Sequence, residues 1–261
     1  MKALANKRYH KAAPLMLVLL LLAGITGVAA VTTSSPATAA TQVTEDDVVQ
    51  GEKIFAANCA TCHGMDAQGQ EDIAPSLVGV GAASVDFQVG TGRMPMQMSG
   101  PQAQAKMPQF DQPQIDLLAA YVTSLGAGPA VPTAEQVDGS LGDPAMGMEL
   151  FRINCAMCHG AGANGGALTQ GKFAPSLWET TPTHIYEAML TGPQSMPVFN
   201  DDNISSQGKT DIIAFLEQQR EPSAGGLKLG ALGPVSEGFW AWLIGIGLII
   251  GATVWVGARS S

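Results

Sequence analysis

The chain has 261 residues, a formal net charge of −9, 13% charged residues and 6% aromatics, with 31 glycines and 16 prolines. The acidic balance argues against a nucleic-acid binder, and the length admits one or two domains. Low charge and a positive mean hydropathy point to a stretch within a membrane. The glycine and proline content suits small helical units joined by long loops.

In chain order, residues 1–11 carry Lys2, Lys7, Arg8 and Lys11, and Ala12 to Val31 carries no charge. Residues 1–40 read as a signal peptide or as an N-terminal membrane segment. The small-residue run Ala37-Thr38-Ala39-Ala40 favours cleavage, and the uncharged run is long enough to span. Either reading puts the basic end in the cytoplasm and the chain beyond residue 40 on the extracytoplasmic side. Thr44-Glu45-Asp46-Asp47 is a helix start, a hydroxyl cap with an acid three residues on. Gly51 and Phe55 then share a helix face, and Cys59-Ala60-Thr61-Cys62-His63 ends that helix. Asp72 to Gly100 reads as loop. Asp111-Gln112-Pro113 opens another helix, with Ile115, Leu118, Ala119 and Val122 as its apolar stripe.

Residues 127–142 are a linker, and then the pattern repeats. Asp143-Pro144 is a cap with proline at the first helical position. Gly147 and Phe151 repeat Gly51 and Phe55, and Cys155-Ala156-Met157-Cys158-His159 repeats the first motif at the same spacing. Ala174-Pro175-Ser176-Leu177 repeats Ala74-Pro75-Ser76-Leu77, and Asp211 to Leu216 answers Leu117 to Val122. This is a tandem duplication over residues 44–126 and 143–221. A second linker covers 222–237. Residues 238–258 are uncharged, with Phe239, Trp240 and Trp242 crowded at one end and Arg259 past the other. That is the pattern of a transmembrane helix with an interfacial aromatic belt.

Two thiols three positions apart can each form a thioether to one vinyl group of a single porphyrin, and the next histidine then lies under the iron. The four cysteines of the chain fill the two motifs with none left over. Vicinal disulfides, a shared zinc site or a thioredoxin-like pair leave the following histidine unexplained both times. The expectation is therefore two covalently bound haem c groups, on Cys59, Cys62, Cys155 and Cys158, with His63 and His159 as proximal ligands. A methionine thioether suits the sixth position of a low-spin electron-transfer site. In the second unit Met196, in Met196-Pro197-Val198-Phe199, is the expected ligand. Met189 lies on an apolar helical stretch and is expected to pack. In the first unit Met107 is preferred, because Met107-Pro108-Gln109-Phe110 repeats that pattern. Met94 is its rival, because Met94 follows Thr91-Gly92 much as Met196 follows Thr191-Gly192. His184 is expected in a loop or at the surface.

From Gly51 through Tyr121, and again from Gly147 through Phe215, the chain resembles a class I cytochrome c domain. Each unit has Gly-x-x-x-Phe before Cys-x-x-Cys-His, a Pro-Ser-Leu loop, Met-Pro-x-Phe and an aromatic on the last helix. The resemblance implies a mainly α fold in which the first and last helices cross, with Phe55 against Tyr121 and Phe151 against Phe215. The whole order, from a signal or anchor helix through two such domains to a C-terminal anchor, is similar to the dihaem cytochrome cc subunit of the actinobacterial cytochrome bcc complex. That resemblance implies electron relay from a Rieske iron–sulfur subunit to a bound terminal cytochrome oxidase, beside a cytochrome b subunit that oxidises menaquinol. No separate catalysis is expected in this chain. The location implied is the cell membrane, with the haem domains on the extracytoplasmic (periplasmic) side. The alternative reading is a membrane-anchored dihaem electron-transfer subunit of another oxidase or of a periplasmic dehydrogenase.

Overall fold

The structure is a computed structural model and describes residues 43–98, 100–221 and 234–258. The N-terminal segment, Arg259 and most of the second linker lie outside the described residues. Helix α1 is Glu45–Asn58, followed by the single turn α2, Ala60–His63. The capping box forms: Thr44 accepts from the Asp47 N–H, and Asp47 accepts in return from the Thr44 N–H at 2.8 Å. Helix α3 is Ala82–Gly90, and α4 is Gln112–Leu125 with Asp111 as its cap. The second half repeats the order with α5, Pro144–Asn154, and α6, Ala156–His159. A short antiparallel hairpin comes next, β1 Gly166–Ala167 and β2 Phe173–Ala174, with Gly166 opposite Ala174. Helix α7, Pro182–Thr191, and α8, Ser206–Arg220, complete the half. Helix α9 is Pro234–Ala258.

Each half is built on the crossing of its first and last long helices. A Cβ on Gly51 would lie 2.0 Å from the Leu117 carbonyl oxygen, and one on Gly147 would lie 1.8 Å from that of Asp211. Only glycine lets the two backbones approach this closely. One turn on, Phe55 meets Tyr121 at 5.1 Å between ring centres, and Phe151 meets Phe215 at 5.4 Å, both pairs tilted. Phe55 and Phe151 are fully buried, and burial of such a ring is worth roughly 1.5–3 kcal/mol. Around each pair lies a separate apolar cluster, with Ile115, Leu118 and Val122 in the first and Ile185, Ile212 and Leu216 in the second.

One expectation needs correcting. The stretch 72–100 is not all loop, since it contains α3. Glycines at 79, 81, 90 and 92 bracket that helix and mask its apolar residues Val85, Phe87 and Val89, which are buried. The linker 127–142 is tied at both ends. The Ala83 N–H donates to the Pro129 carbonyl at 3.1 Å. Gln136 Nε2 donates to the Tyr186 hydroxyl at 3.0 Å, and Thr210 Oγ1 donates to the Gln136 carbonyl at 2.9 Å.

The halves meet through α3 and α7. The His184 ring stands edge-on to Phe87 at 6.0 Å. Gln102 clasps the backbone of Phe173, donating to its carbonyl and accepting from its N–H, each at 2.9 Å. His184 is thus on a helix in the interface, not in a loop.

The uncharged run Gly238–Ala258 within α9 is 21 residues long and apolar enough to cross a membrane. At ~1.5 Å per residue it matches a hydrocarbon layer about 30 Å thick. Leu248, Ile249 and Val254 are exposed along it, as lipid-facing side chains would be.

Candidate haem sites

The two Cys-x-x-Cys-His segments have one geometry. Cys59 closes α1 with its N–H on the Phe55 carbonyl at 2.8 Å, and Cys155 closes α5 on the Phe151 carbonyl at 2.8 Å. Their backbone angles agree within a degree (φ −118° for both, ψ −34° and −35°). The next turn then brings each histidine inward, and His63 and His159 are both only 9% exposed. His63 Nδ1 lies 2.9 Å from the Pro75 carbonyl oxygen, and His159 Nδ1 lies 2.9 Å from that of Pro175. A carbonyl can only accept, so each Nδ1 carries the hydrogen and each Nε2 keeps its lone pair. That tautomer, fixed by a backbone acceptor, is the one that binds a metal through Nε2. Burial holds His159 below its ordinary value, against the opposing effect of the Pro175 carbonyl, which favours the neutral ligand form.

No disulfide joins the four cysteines. Burial, aided by Cys62, pushes the Cys59 thiol up to about 11; burial, aided by Cys158, pushes Cys155 up to about 12. A thioredoxin-like pair needs a thiol lowered below its ordinary value, so this shift runs against that reading.

In the second half Cys155, Cys158, His159 and Met196 line one cavity of about 350 Å³. Its walls are largely apolar, and the volume is in the range of cofactor sites. The Met196 loop is fixed by its N–H on the Pro193 carbonyl at 3.0 Å and by the Phe199 N–H on the Met189 carbonyl at 2.8 Å. Met189 is 2% exposed and belongs to the core, as expected. An imidazole nitrogen, a thioether and two thiols around one apolar cavity fit haem c.

In the first half the placement runs against Met107. Met107 is 87% exposed, whereas Met94 packs on the cluster containing Phe55 and Val89. The backbone explains the contrast. Lys106 and Met107 return to Gly92, much as Met196 to Val198 meet Gly192, and Phe110 packs inward as Phe199 does. The Met-Pro-x-Phe match therefore holds for the chain path and for the phenylalanine, but the methionine turns to solvent. Met96 and Met98 are exposed as well.

Two features between the halves were not anticipated from sequence. Glu187 of α7 is fully buried and no donor reaches either of its oxygens. A ligand atom of Glu187, one of Asp86 and one of His184 all lie within 4.8 Å of one another. Burial first, and then the Asp86 charge, push Glu187 up to about 10, so it is protonated at neutral pH. Asp86 is engaged by Gln112 Nε2 at 2.6 Å and by His184 Nε2 at 3.8 Å. Arg93, only 9% exposed, stacks on Phe87 with its guanidinium carbon 4.8 Å from the ring centre. The single sequence cue to either feature was that Arg93 adjoins a candidate ligand.

Two crossed-helix units, each presenting a buried histidine with a free Nε2 beside two thiols, define a tandem c-type cytochrome with an apolar C-terminal helix. A family model described as cytochrome c oxidase, cbb3-type, subunit III matches residues 46–122 and 142–216. The chain is 46% identical over 230 residues to the cytochrome bc1 complex cytochrome c subunit of Corynebacterium efficiens, covering 82% of this chain and 77% of that one. It is 44% identical over 257 residues to the protein of that name in Mycobacterium tuberculosis (94% and 90% covered). The Corynebacterium diphtheriae protein of that name is 42% identical over 261 residues (92% of each). The chain belongs to the family of cytochrome bc1 complex cytochrome c subunits: it is a mainly helical respiratory electron-transfer cytochrome whose cofactor is haem c.

Proposed function

We propose that this chain carries two haem c groups and relays electrons within a membrane-bound quinol–cytochrome c reductase, from a Rieske iron–sulfur subunit to a terminal cytochrome oxidase, beside a cytochrome b subunit. Cys59 and Cys62 hold one group and Cys155 and Cys158 the other, with His63 and His159 as proximal ligands. Met196 is the sixth ligand in the second half. In the first half it is Met94 rather than Met107, because a ligand must face the core and Met94 does. Bound in this way, haem c supplies reversible one-electron Fe(III)/Fe(II) chemistry. The chain's own groups fix the imidazole tautomer through Pro75 and Pro175, exclude water with the apolar walls and seat the thioethers.

The observation that carries the reading is the repetition of the whole constellation, from cysteine backbone angles to the histidine–proline contact. Relatives bearing the bc1 complex name along 77–92% of their own length support the reductase assignment. A helix of spanning length after the second half supports attachment to the cell membrane, with the haem domains on the extracytoplasmic side, where c-type haem is attached in bacteria. No group in the chain is assigned separate catalysis. Purification in mild detergent through a tag on this chain tests the assignment. Cytochrome b, Rieske and oxidase subunits are expected to copurify, and recovery of a dehydrogenase in their place would refute it.

A further inference from the structure

Arg93 belongs to the first half, in the segment between α3 and the excursion that leads towards α4, yet it lines the cavity of the second half together with Cys155, Cys158, His159 and Met196. The residue is only 9% exposed. Among the described residues its guanidinium makes no hydrogen bond and no ion pair; what it contacts is the face of Phe87. A guanidinium carries five N–H donors in a fixed fork suited to carboxylates. Buried without a counter-charge it is costly. The carboxylate nearby in sequence, Asp86, is already engaged by Gln112 and His184. The geometry therefore leaves a buried cation facing a largely apolar cavity, and Arg93 is the one lysine or arginine among the residues that line it. The porphyrin expected there has two carboxylate side chains, which such a cavity cannot otherwise neutralise.

We propose that Arg93 of the first half binds a propionate carboxylate of the haem c held in the second half. The second haem site is then complete only when α3 and α7 are packed together, and the two halves share a cofactor-binding residue. A positive charge beside a haem disfavours its ferric form, so Arg93 raises the midpoint potential of the second haem. Because Arg93 adjoins Met94, one backbone step joins the ligand set of one haem to the propionate clamp of the other. This inference rests on the reading that the cavity holds haem c.

The test is a spectroelectrochemical titration of the full-length protein in its complex, after confirming haem on each cysteine pair. The wave that moves in Met196→His belongs to the second half. Arg93→Gln is expected to lower that wave, changing the ferric-to-ferrous ratio at the wild-type midpoint at least several-fold, and Arg93→Lys, which keeps the charge, is expected to restore most of it. An unmoved second wave, or movement of the first wave alone, would overturn the proposal. Should Arg93→Gln fail to fold, the Lys variant decides by resonance Raman. With the two haems poised in different oxidation states, the propionate-bending band of the second haem shifts if the fork was bound there, and an unshifted band overturns the proposal. Absence of haem from Cys155 and Cys158 in the wild type would instead sink the underlying reading.

Discussion

The two halves share a helix crossing, a Cys-x-x-Cys-His turn and a histidine–proline contact, yet the loop that leads to the last helix differs between them. In the second half the path from Gly192 to Phe199 is short, and Met196 sits on it beside the cavity. In the first half the path from Gly92 to Phe110 takes a long excursion and returns to Gly92 at Lys106. The return preserves the position of the phenylalanine, but the methionine that faces the core comes before the excursion. The second cavity also borrows Arg93 and Phe87 from the first half. Duplication thus fixed what the backbone needs, the glycine–aromatic crossing and the Cys-x-x-Cys-His turn, and left the methionine-bearing loop free to diverge.

The largest effect is expected where the halves are alike. Cys155→Ala or Cys158→Ala should leave haem attached to the first half alone and unfold the second, since much of its core would line an empty cavity. Haem content together with far-ultraviolet circular dichroism checks this. Equal loss of both haems would show that the halves do not fold as separate cores.

Where the halves differ, the methionines sharpen the contrast. Met94→Ala should convert one haem to a high-spin form that binds carbon monoxide when reduced, while Met107→Ala should leave both low-spin. The reverse pattern would restore Met107 as the ligand, with its side chain turned inward from where it now lies.

The helix crossings should respond in parallel and more modestly. Gly51→Ala and Gly147→Ala each push a Cβ into a backbone carbonyl. Each should cost about 3 kcal/mol, the upper end for overpacking, measured by denaturant unfolding of the holoprotein. A near-neutral result at one crossing alone would mean that the two are not equivalent.

Measured over the two units between pH 7 and 9, the smallest effect concerns the interface. Glu187 has an ordinary value of 4.5 and is raised to about 10 in the fold. Between those values the native chain holds a proton that the unfolded chain has released, so its contribution to stability is present below pH 4.5 and is lost as pH rises through that window. The slope is at most about 1.4 kcal/mol per pH unit. Glu187→Gln, which can donate to Asp86 without titrating, should flatten the alkaline decline seen by thermal unfolding between pH 7 and 9. An unchanged decline would place its origin elsewhere.

Much of this architecture was legible in the residues. Thr44 with Asp47, Asp111 with Pro113 and Asp143 with Pro144 marked helix starts through local chemistry that needs no tertiary context, and all three form. The haem motifs, the Gly-x-x-x-Phe pairs and the 238–258 span are short-range patterns of the same kind. Helix α3 was hidden because its flanking glycines read as loop, although its counterpart in the second half, Ile185 to Leu190, showed helical spacing. The choice between Met94 and Met107 depends on which way a side chain leaves a returning loop, and a repeated motif does not encode that. Asp86, Glu187 and Arg93 gain their meaning from a partner about 100 residues away or from a cavity, so nothing adjacent in sequence marks them.

The central claim is that the repeated motif binds haem twice. The measurement that bears on it most directly is a haemochrome count on the denatured, purified full-length chain, with mass analysis of the peptides containing each cysteine pair. Two haem c groups per chain, one on Cys59 and Cys62 and one on Cys155 and Cys158, are predicted. One group or none, from a host competent in cytochrome c maturation, would contradict the account.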